Sequence, residues 1–331
     1  MKVLVTGGAG YIGSFVVREF LLANHEVYVV DDLSTGFLEN IPKNVQFFQG
    51  STLDITFLES VFKKSKIDVV VHLAAKLVVP ESITQPLSYF ENNVQGTLNI
   101  LKFCEQFQIK KFIFSSTAAV YGDFKGERVS EEAIPNPINP YGESKLMAEK
   151  VIHYFAQAHP EFKYVILRYF NVAGAAFDQS LGQLNKNASH LIKAVCDAAL
   201  GIRSSVDVFG TDFPTPDGSG VRDYIHVQDL AMAHYSALEY LAKGLPSDIF
   251  NCGYSRGFSV LEVVSEIKKI SKVDFPINLK QRRFGDPACV VANTEKILKK
   301  LLWKPKYDNL NLICNSSYAW EKNKILNSGL K

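Results

Sequence analysis

The opening βαβ stretch constrains this chain more than any other part of it. KVLVT (residues 2–6) is a short apolar strand, and Gly7, Gly8, Ala9, Gly10, Tyr11, Ile12 and Gly13 follow at once. An apolar helical pattern covers residues 12–22, and a second strand, 27–30, ends in Asp31 and Asp32. Three of the glycines have distinct physical roles. Gly7 turns the chain off the strand, Gly10 clears a path for a pyrophosphate to reach the backbone, and Gly13 lets the helix pack on the sheet. The free N–H groups of the first helical turn, from Tyr11 and Ile12 onward, then face the phosphates. Asp31 is placed to accept hydrogen bonds from the adenosine ribose. A carboxylate there repels a 2′-phosphate, so the expected cofactor is NAD rather than NADP. Glycines alone also make plain turns; the strand before, the helix after and the acid at its distance make this a dinucleotide site.

The same cadence continues. Residues 45–49, 68–73 (DVVVHL), 111–115 (KFIFS) and 163–168 (KYVILR) read as strands, and DVVVHL is almost continuously apolar, as a sheet covered on both faces requires. Helical patterns at 53–64, 88–107 and 141–158 alternate with them. Repeated βα units predict an α/β fold, a Rossmann-type doubly wound parallel sheet. After residue 170 the pattern changes: 171–187 reads as loop, 189–200, 228–241 and 259–270 as helices, and 206–209 and 248–252 as strands. Residues 221–227 are expected to return toward the sheet, and two short helices are expected near 294–302 and 310–322. The second lobe is therefore smaller and interleaved: mainly 171–331, with segments near 221–255 rejoining a first domain of 1–170.

Composition narrows the class. Hydrophobic residues make up 47% and charged residues 21%, with a net charge of +2 and no basic run, so nucleic acid is not an expected partner. Five cysteines stand apart with no CxxC pair, which suits reduced thiols in the cytoplasm. The chain starts directly on a strand, so no signal peptide is expected, and no run of 18 apolar residues marks a membrane span. The histidines form neither HxH nor HExxH, so no metal site is expected.

Tyr141 and Lys145 stand four apart on a predicted helix and share one face. An ammonium beside a phenol favours the phenolate, so the Tyr141 pKa is expected to fall and Tyr141 to serve as proton acceptor. Lys145 can also hold the nicotinamide ribose. Ser115, Ser116 and Thr117 close the fifth strand, and of these Thr117 is the choice for holding the reacting oxygen. Ala74 and Ala75 keep the fourth strand end small, for a flat cofactor or for close strand–helix packing. Asn92, early in the long helix, is either a backbone brace at the site or a helix-surface residue.

Together these blocks resemble the extended short-chain dehydrogenase/reductases, and within them the UDP-glucose 4-epimerase family. The resemblance covers nearly the whole chain. It rests on VLVTGGAGYIGS, FIFSSTAAVYG, NPYGESKLMAEK, LRYFNVAGA, GVRDYIHVQDLA and RRFGDPA in this order. It implies tightly held NAD, Tyr141 taking the proton of a sugar 4-hydroxyl, a 4-keto intermediate, and a homodimer through the helices that begin near Ser88 and Tyr141. Related dehydratases need an acidic pair after the strand-end hydroxyl; here Ala118 and Ala119 stand there. For the UDP-hexose it implies Arg222 and Arg283 at the diphosphate, Asp286 at the uridine ribose, Asn171 at a phosphate, and Phe209 and Tyr224 along the nucleotide. Ordinary salt bridging is the plainer reading of the two arginines. Asn92 matches a family asparagine near the nicotinamide. Val290 aligns with a site where some members place a tyrosine; the smaller side chain leaves space for an N-acetyl group. Ser51 replaces a common aspartate at adenine, which Asp54 could replace in turn, and Leu77 replaces a lysine. The competing readings are a reductase or epimerase for another nucleotide sugar, and a non-catalytic NAD sensor.

Overall fold

The computed structural model describes residues 1–185, 190–283 and 285–328. The end of the loop expected to run to Asn187, the helix start expected at Ser189 and Phe284 of RRFGDPA lie outside the described residues.

Seven parallel strands form the main sheet. They are β1 (Lys2–Thr6), β2 (Glu26–Asp31), β3 (Gln46–Gln49), β4 (Val69–His72), β5 (Lys111–Thr117), β6 (Lys163–Tyr169) and, later in the chain, Asp248–Cys252. The sheet order is Asp248–Cys252, β6, β5, β4, β1, β2, β3. Alternate residues of one strand enter different cores. Val3 and Val5 join the cluster containing Phe15, Phe20 and Leu230, whereas Leu4 joins that of Leu58, Phe62 and Ile100. Burial on both faces is why these strands are apolar at every position, and each such side chain contributes about 1.5–3 kcal/mol.

The helices of the first part are α1 (Tyr11–Leu22), α2 (Ile55–Lys64), α3 (Val79–Thr84), α4 (Pro86–Phe90), α5 (Gly96–Gln106) and α6 (Pro140–Ala158). Residues Glu91–Gln95 form a π turn that joins α4 to α5. The long helix expected at 88–107 is thus interrupted. The segment around Pro80 forms α3, because proline sits in its first turn, where no N–H is needed.

A second sheet stands beside the first. It contains β7 (Asn171–Ala173), β9 (Val221–His226), β11 (Gly257–Ser259) and β13 (Cys289–Val290); β9 pairs with the other three. Strand β8 (Val206–Phe209) pairs with β12 (Ile277–Lys280), and β10 is the Asp248–Cys252 strand of the main sheet. The expectation that residues 221–227 return to the main sheet is corrected: β9 pairs in the second sheet, and it is β10 that pairs with β6. The remaining helices are α7 (Leu191–Ala199), α8 (Val227–Ala242), α9 (Val260–Ser271), α10 (Glu295–Lys300) and α11 (Leu310–Ser328). Helix α9 starts on a reciprocal cap, Ser259 with Glu262.

The strand order reverses between β1 and β4. At such a switch point the loops leave in opposite directions and open a crevice at the carboxyl ends of the strands. Gly7, Ala74 and Thr117 all lie at that edge.

Candidate active site

At the crevice, Gly7 has φ +75° and packs so closely that a Cβ on it would lie 2.7 Å from Ala74 N. A Cβ on Gly13 would lie 2.1 Å from Gly7 O, so only hydrogen lets α1 seat on the loop. Gly10 differs: its Cβ would meet only Gly7 O, at 3.3 Å, so the fold itself leaves room there. Gly10 is the N-cap of α1 and offers no side chain to it, and the first intrahelical bond is Ser14 N–H to Gly10 O. The amides of Tyr11, Ile12 and Gly13 thus precede the ladder and suit a pyrophosphate. The Tyr11 side chain turns away, its hydroxyl donating to Gly174 O at 2.5 Å. Asp31 is buried at the end of β2 and accepts from the N–H groups of Ala9 and Leu33, both at 2.9 Å. One lone pair on each oxygen remains for a ribose diol. These features fit a bound NAD.

The chemistry-bearing side chains meet at the ends of β5 and α6. Asn139 caps α6 by accepting from Gly142 N–H at 2.9 Å, which sets Tyr141 in the first turn. Thr117 ends β5 and its hydroxyl accepts from Ala119 N–H at 3.1 Å. Lys145 is 4% exposed; its Nζ donates to Ser115 O at 2.8 Å and lies 4.6 Å over the Phe114 ring. Burial raises the Tyr141 pKa, and the neighbouring Thr117 hydroxyl only partly offsets this. The expected fall is therefore corrected for the protein alone: desolvation of the phenolate outweighs the attractions, and Lys145 is turned to Ser115. Burial also pushes the Lys145 ammonium down to about 7, with Glu149 opposing the shift.

Lys145 has a measurable consequence. Its folded pKa of about 7 lies below the unfolded value of 10.5. The folded state then favours the neutral amine, so the ammonium destabilises the fold fully below about pH 7, and the penalty fades as pH rises toward 10.5. In the cofactor-free chain, Lys145→Met is expected to raise Tm more at about pH 6 than at about pH 10, while impairing turnover. Thermal unfolding at both pH values checks this; an equal fall at both contradicts it.

Of the two readings left open for Asn92, a backbone brace or a helix-surface residue, the brace is made by its neighbour Asn93. Asn93 is 2% exposed; it accepts from Lys76 N–H at 2.8 Å and donates to Lys76 O at 3.0 Å and Ser144 Oγ at 2.9 Å. It ties the loop after β4 to the catalytic helix. Asn92 is left to donate to Asn93 Oδ1 at 3.0 Å. The π turn decides this, because its wider step rotates the helix phase and turns the second asparagine inward. His72 continues the brace: Nδ1 pairs with Thr6 Oγ1 at 2.7 Å and Nε2 with Thr97 Oγ1 at 3.2 Å. Burial pushes His72 down to about 3, so it is neutral beside Lys145.

The far side of the crevice is lined from the second sheet. Arg222 and Val290 are register partners on β9 and β13. Val290 packs with the cluster of Ala118, Tyr121 and Leu146, which brings it beside the end of β5. Arg283 pairs with Asp286 at 2.8 Å and lies 4.6 Å over the Phe209 ring. Asn171 is exposed at the start of β7. Tyr224 is 3% exposed and belongs to the core, so its ring offers no open face to a nucleotide. Ser51 Oγ accepts from Leu53 N–H at 3.1 Å. The Asp54 carboxylate caps α2 by accepting from Phe57 N–H at 2.9 Å.

Residues 3–253 match the NAD dependent epimerase/dehydratase family. The chain belongs to this family. Within it, the sequence is 44% identical to the UDP-glucose 4-epimerase of Lacticaseibacillus casei, over 98% of this chain and 97% of that one. Among solved structures it is similar to the UDP-Glc/GlcNAc 4-epimerase of Campylobacter jejuni, at 46% identity and a TM-score of 0.86, covering 97% of this chain and 99% of that chain. It is also similar to a UDP-glucose-4-epimerase from Stenotrophomonas maltophila with bound NAD and formylated UDP-arabinopyranose, at 35% identity and a TM-score of 0.95, covering 99% of each. The extended short-chain dehydrogenase resemblance and the Rossmann-type fold are thereby established for this epimerase/dehydratase chain.

Proposed function

We propose that this chain interconverts UDP-glucose and UDP-galactose at C4, with NAD retained through the cycle. The observation that carries the reading is the placing of Thr117 at the end of β5 and Tyr141 in the first turn of α6, with Lys145 one helical turn on and bound to Ser115 O of β5, and with Ala118 and Ala119 where an elimination needs acids. Bound NAD supplies a hydride acceptor and donor, which makes the reaction redox-neutral overall through a 4-keto sugar. The protein's own part is proton handling and orientation. Tyr141 takes the 4-hydroxyl proton and gives it back, and Thr117 holds the same oxygen. Lys145, freed from Ser115 O, holds the nicotinamide ribose and favours the Tyr141 phenolate. Asp31 holds the adenosine ribose. Gly7, Gly10, Gly13, Ala74 and the amides of Tyr11 and Ile12 shape the cradle. Incubating the purified protein with a panel of UDP-hexoses, without added reductant, tests this. Epimer without net NADH is expected; a 4-keto-6-deoxy product refutes it.

For the nucleotide, Arg222 and Arg283 serve the diphosphate, Asp286 the uridine ribose and Asn171 a phosphate, with Phe209 along the base. Arg283 can be recruited at small cost: its pairing with Asp286 is half exposed, and such pairs contribute about 0–1 kcal/mol. We place the boundary between the NAD part and the nucleotide-sugar part near residue 170, with β10 and α8 returning to the first.

Val290 supports a wider substrate range that includes UDP-N-acetylglucosamine and its galactosamine epimer. Its small side chain packs beside the β5 end, against the cluster of Ala118, Tyr121 and Leu146, and the C. jejuni relative is described as a UDP-Glc/GlcNAc enzyme. Val290→Tyr is expected to lower kcat/KM for the acetylated sugar by about 10- to 200-fold and to spare UDP-glucose. Equal losses on both sugars contradict it.

A homodimer is supported by apolar side chains left outside: Leu87 is 81% and Met147 39% exposed, and Met147 lines a groove with Phe90, Val94 and Leu98. Met147→Glu is expected to convert a dimer into monomers by sedimentation. A cytoplasmic location suits five free thiols, and no described helix is long and apolar enough to cross a membrane.

A further inference from the structure

A second buried polar chain runs behind the catalytic residues. Glu149 follows Tyr141 and Lys145 at the same four-residue step, so it lies on their face of α6. Its carboxylate accepts from Ser116 Oγ and from Arg168 Nε, the latter at 3.0 Å and 3.2 Å to its two oxygens. Both charged side chains are 4% exposed. Arg168 Nη1 donates to the Tyr121 hydroxyl at 3.0 Å, which donates to Asn251 Oδ1 at 2.7 Å. Asn251 Nδ2 donates to Val129 O at 2.9 Å. Val129 N–H then donates to Val291 O at 2.8 Å, next to Val290.

A buried ion pair is a poor source of stability, since packed apolar residues of the same volume often do better. Fully partnered, such a chain has one geometry, and so fixes the register of the parts it joins. Here those parts are the catalytic strand and helix at one end and the β13 wall at the other. We propose that Glu149, Arg168, Tyr121 and Asn251 are positioning residues that hold the Val290 wall of the sugar pocket at a set distance from Tyr141 and Thr117. This rests on the reading of the site as a UDP-hexose epimerase. The UDP end has support that does not run through this chain, because Asp223 on β9 accepts from Tyr254 N–H at 2.8 Å, from Ser255 N–H at 3.0 Å and, beside the Val290 wall, from Ala292 N–H at 3.2 Å. Cutting the chain therefore frees the distance between the Val290 wall and the β5 and α6 ends, while pairing with β9 keeps the wall on the UDP end.

Tyr121→Phe removes both hydrogen bonds of the hydroxyl and keeps the ring under Arg168. Bound NAD and UDP affinity should stay within about twofold of the parent, while kcat falls about 10- to 100-fold. The ratio of UDP-glucose to UDP affinity, read by calorimetry, should fall as well. Should this variant fail to fold, Asn251→Leu cuts the chain at its far end, leaves the Glu149–Arg168 pair whole and carries the same expectations. An unchanged affinity ratio, or UDP affinity and kcat falling together, overturns the proposal. Parent turnover in the same assay reports separately on the function: a parent without epimerase activity refutes that reading, while the affinity ratio still decides the positioning role.

Discussion

Tyr141→Phe is expected to lower kcat by about 10²- to 10⁴-fold, the range for loss of a positioned proton acceptor. Stability and bound NAD should remain near the parent's. The ring keeps its edge-on contact with Tyr89, 6.5 Å between centroids, when only the oxygen is removed. Rapid-mixing turnover of UDP-galactose, with NAD quantified after denaturation, separates the two effects. A variant that keeps a tenth or so of parental kcat contradicts the role, because an oxygen merely lining the pocket contributes about that little. The pH profile carries a second mark. Burial raises the Tyr141 pKa in the protein alone, so the parent relies on positive charge arriving near the phenol to favour the phenolate. Without Lys145 that contribution is missing, and the residual activity of Lys145→Met should rise with pH further into the alkaline range than the parent's.

The glycine loop yields a paired expectation of similar size. In Gly13→Ala the new methyl meets a backbone oxygen at 2.1 Å, which cannot move away as a side-chain end can. Helix α1 must lift off the loop, with a loss of more than about 2 kcal/mol and no retained NAD. In Gly10→Ala the new methyl finds a single protein neighbour at 3.3 Å. That variant should fold with stability within about 1 kcal/mol of the parent yet lose NAD, since its methyl occupies the approach of the pyrophosphate. Thermal unfolding and cofactor content, measured together on both variants, check the distinction. If Gly10→Ala retains NAD at the parent's level, the pyrophosphate does not sit against α1.

Much of this was readable in advance because the determinants are local. Continuous apolar runs such as VVVH imply a sheet covered on both sides, and the spacing of Tyr141 and Lys145 places them on one helix face wherever the helix packs. Other features depend on contacts between distant residues. Strand β9 pairs with β13 some way down the chain, which its own six residues do not announce. The choice between Asn92 and Asn93 turns on a π turn, a shift of phase that follows from packing. The direction of the Tyr141 shift depends on how deeply the phenol is buried, which no spacing rule supplies. The Glu149–Arg168 chain was silent for the same reason: Glu149 reads as an ordinary helix-surface acid until β6 places Arg168 beside it.

The central claim is that the hydrogen at C4 leaves the sugar and returns to it within one closed site. The most direct measurement uses UDP-galactose deuterated at C4, with purified protein and no added cofactor or reductant, followed by mass and NMR analysis of the product. The account predicts UDP-glucose that keeps the deuterium at C4, with no net NADH in solution. Loss of the label to water, or accumulation of a keto product, would contradict it.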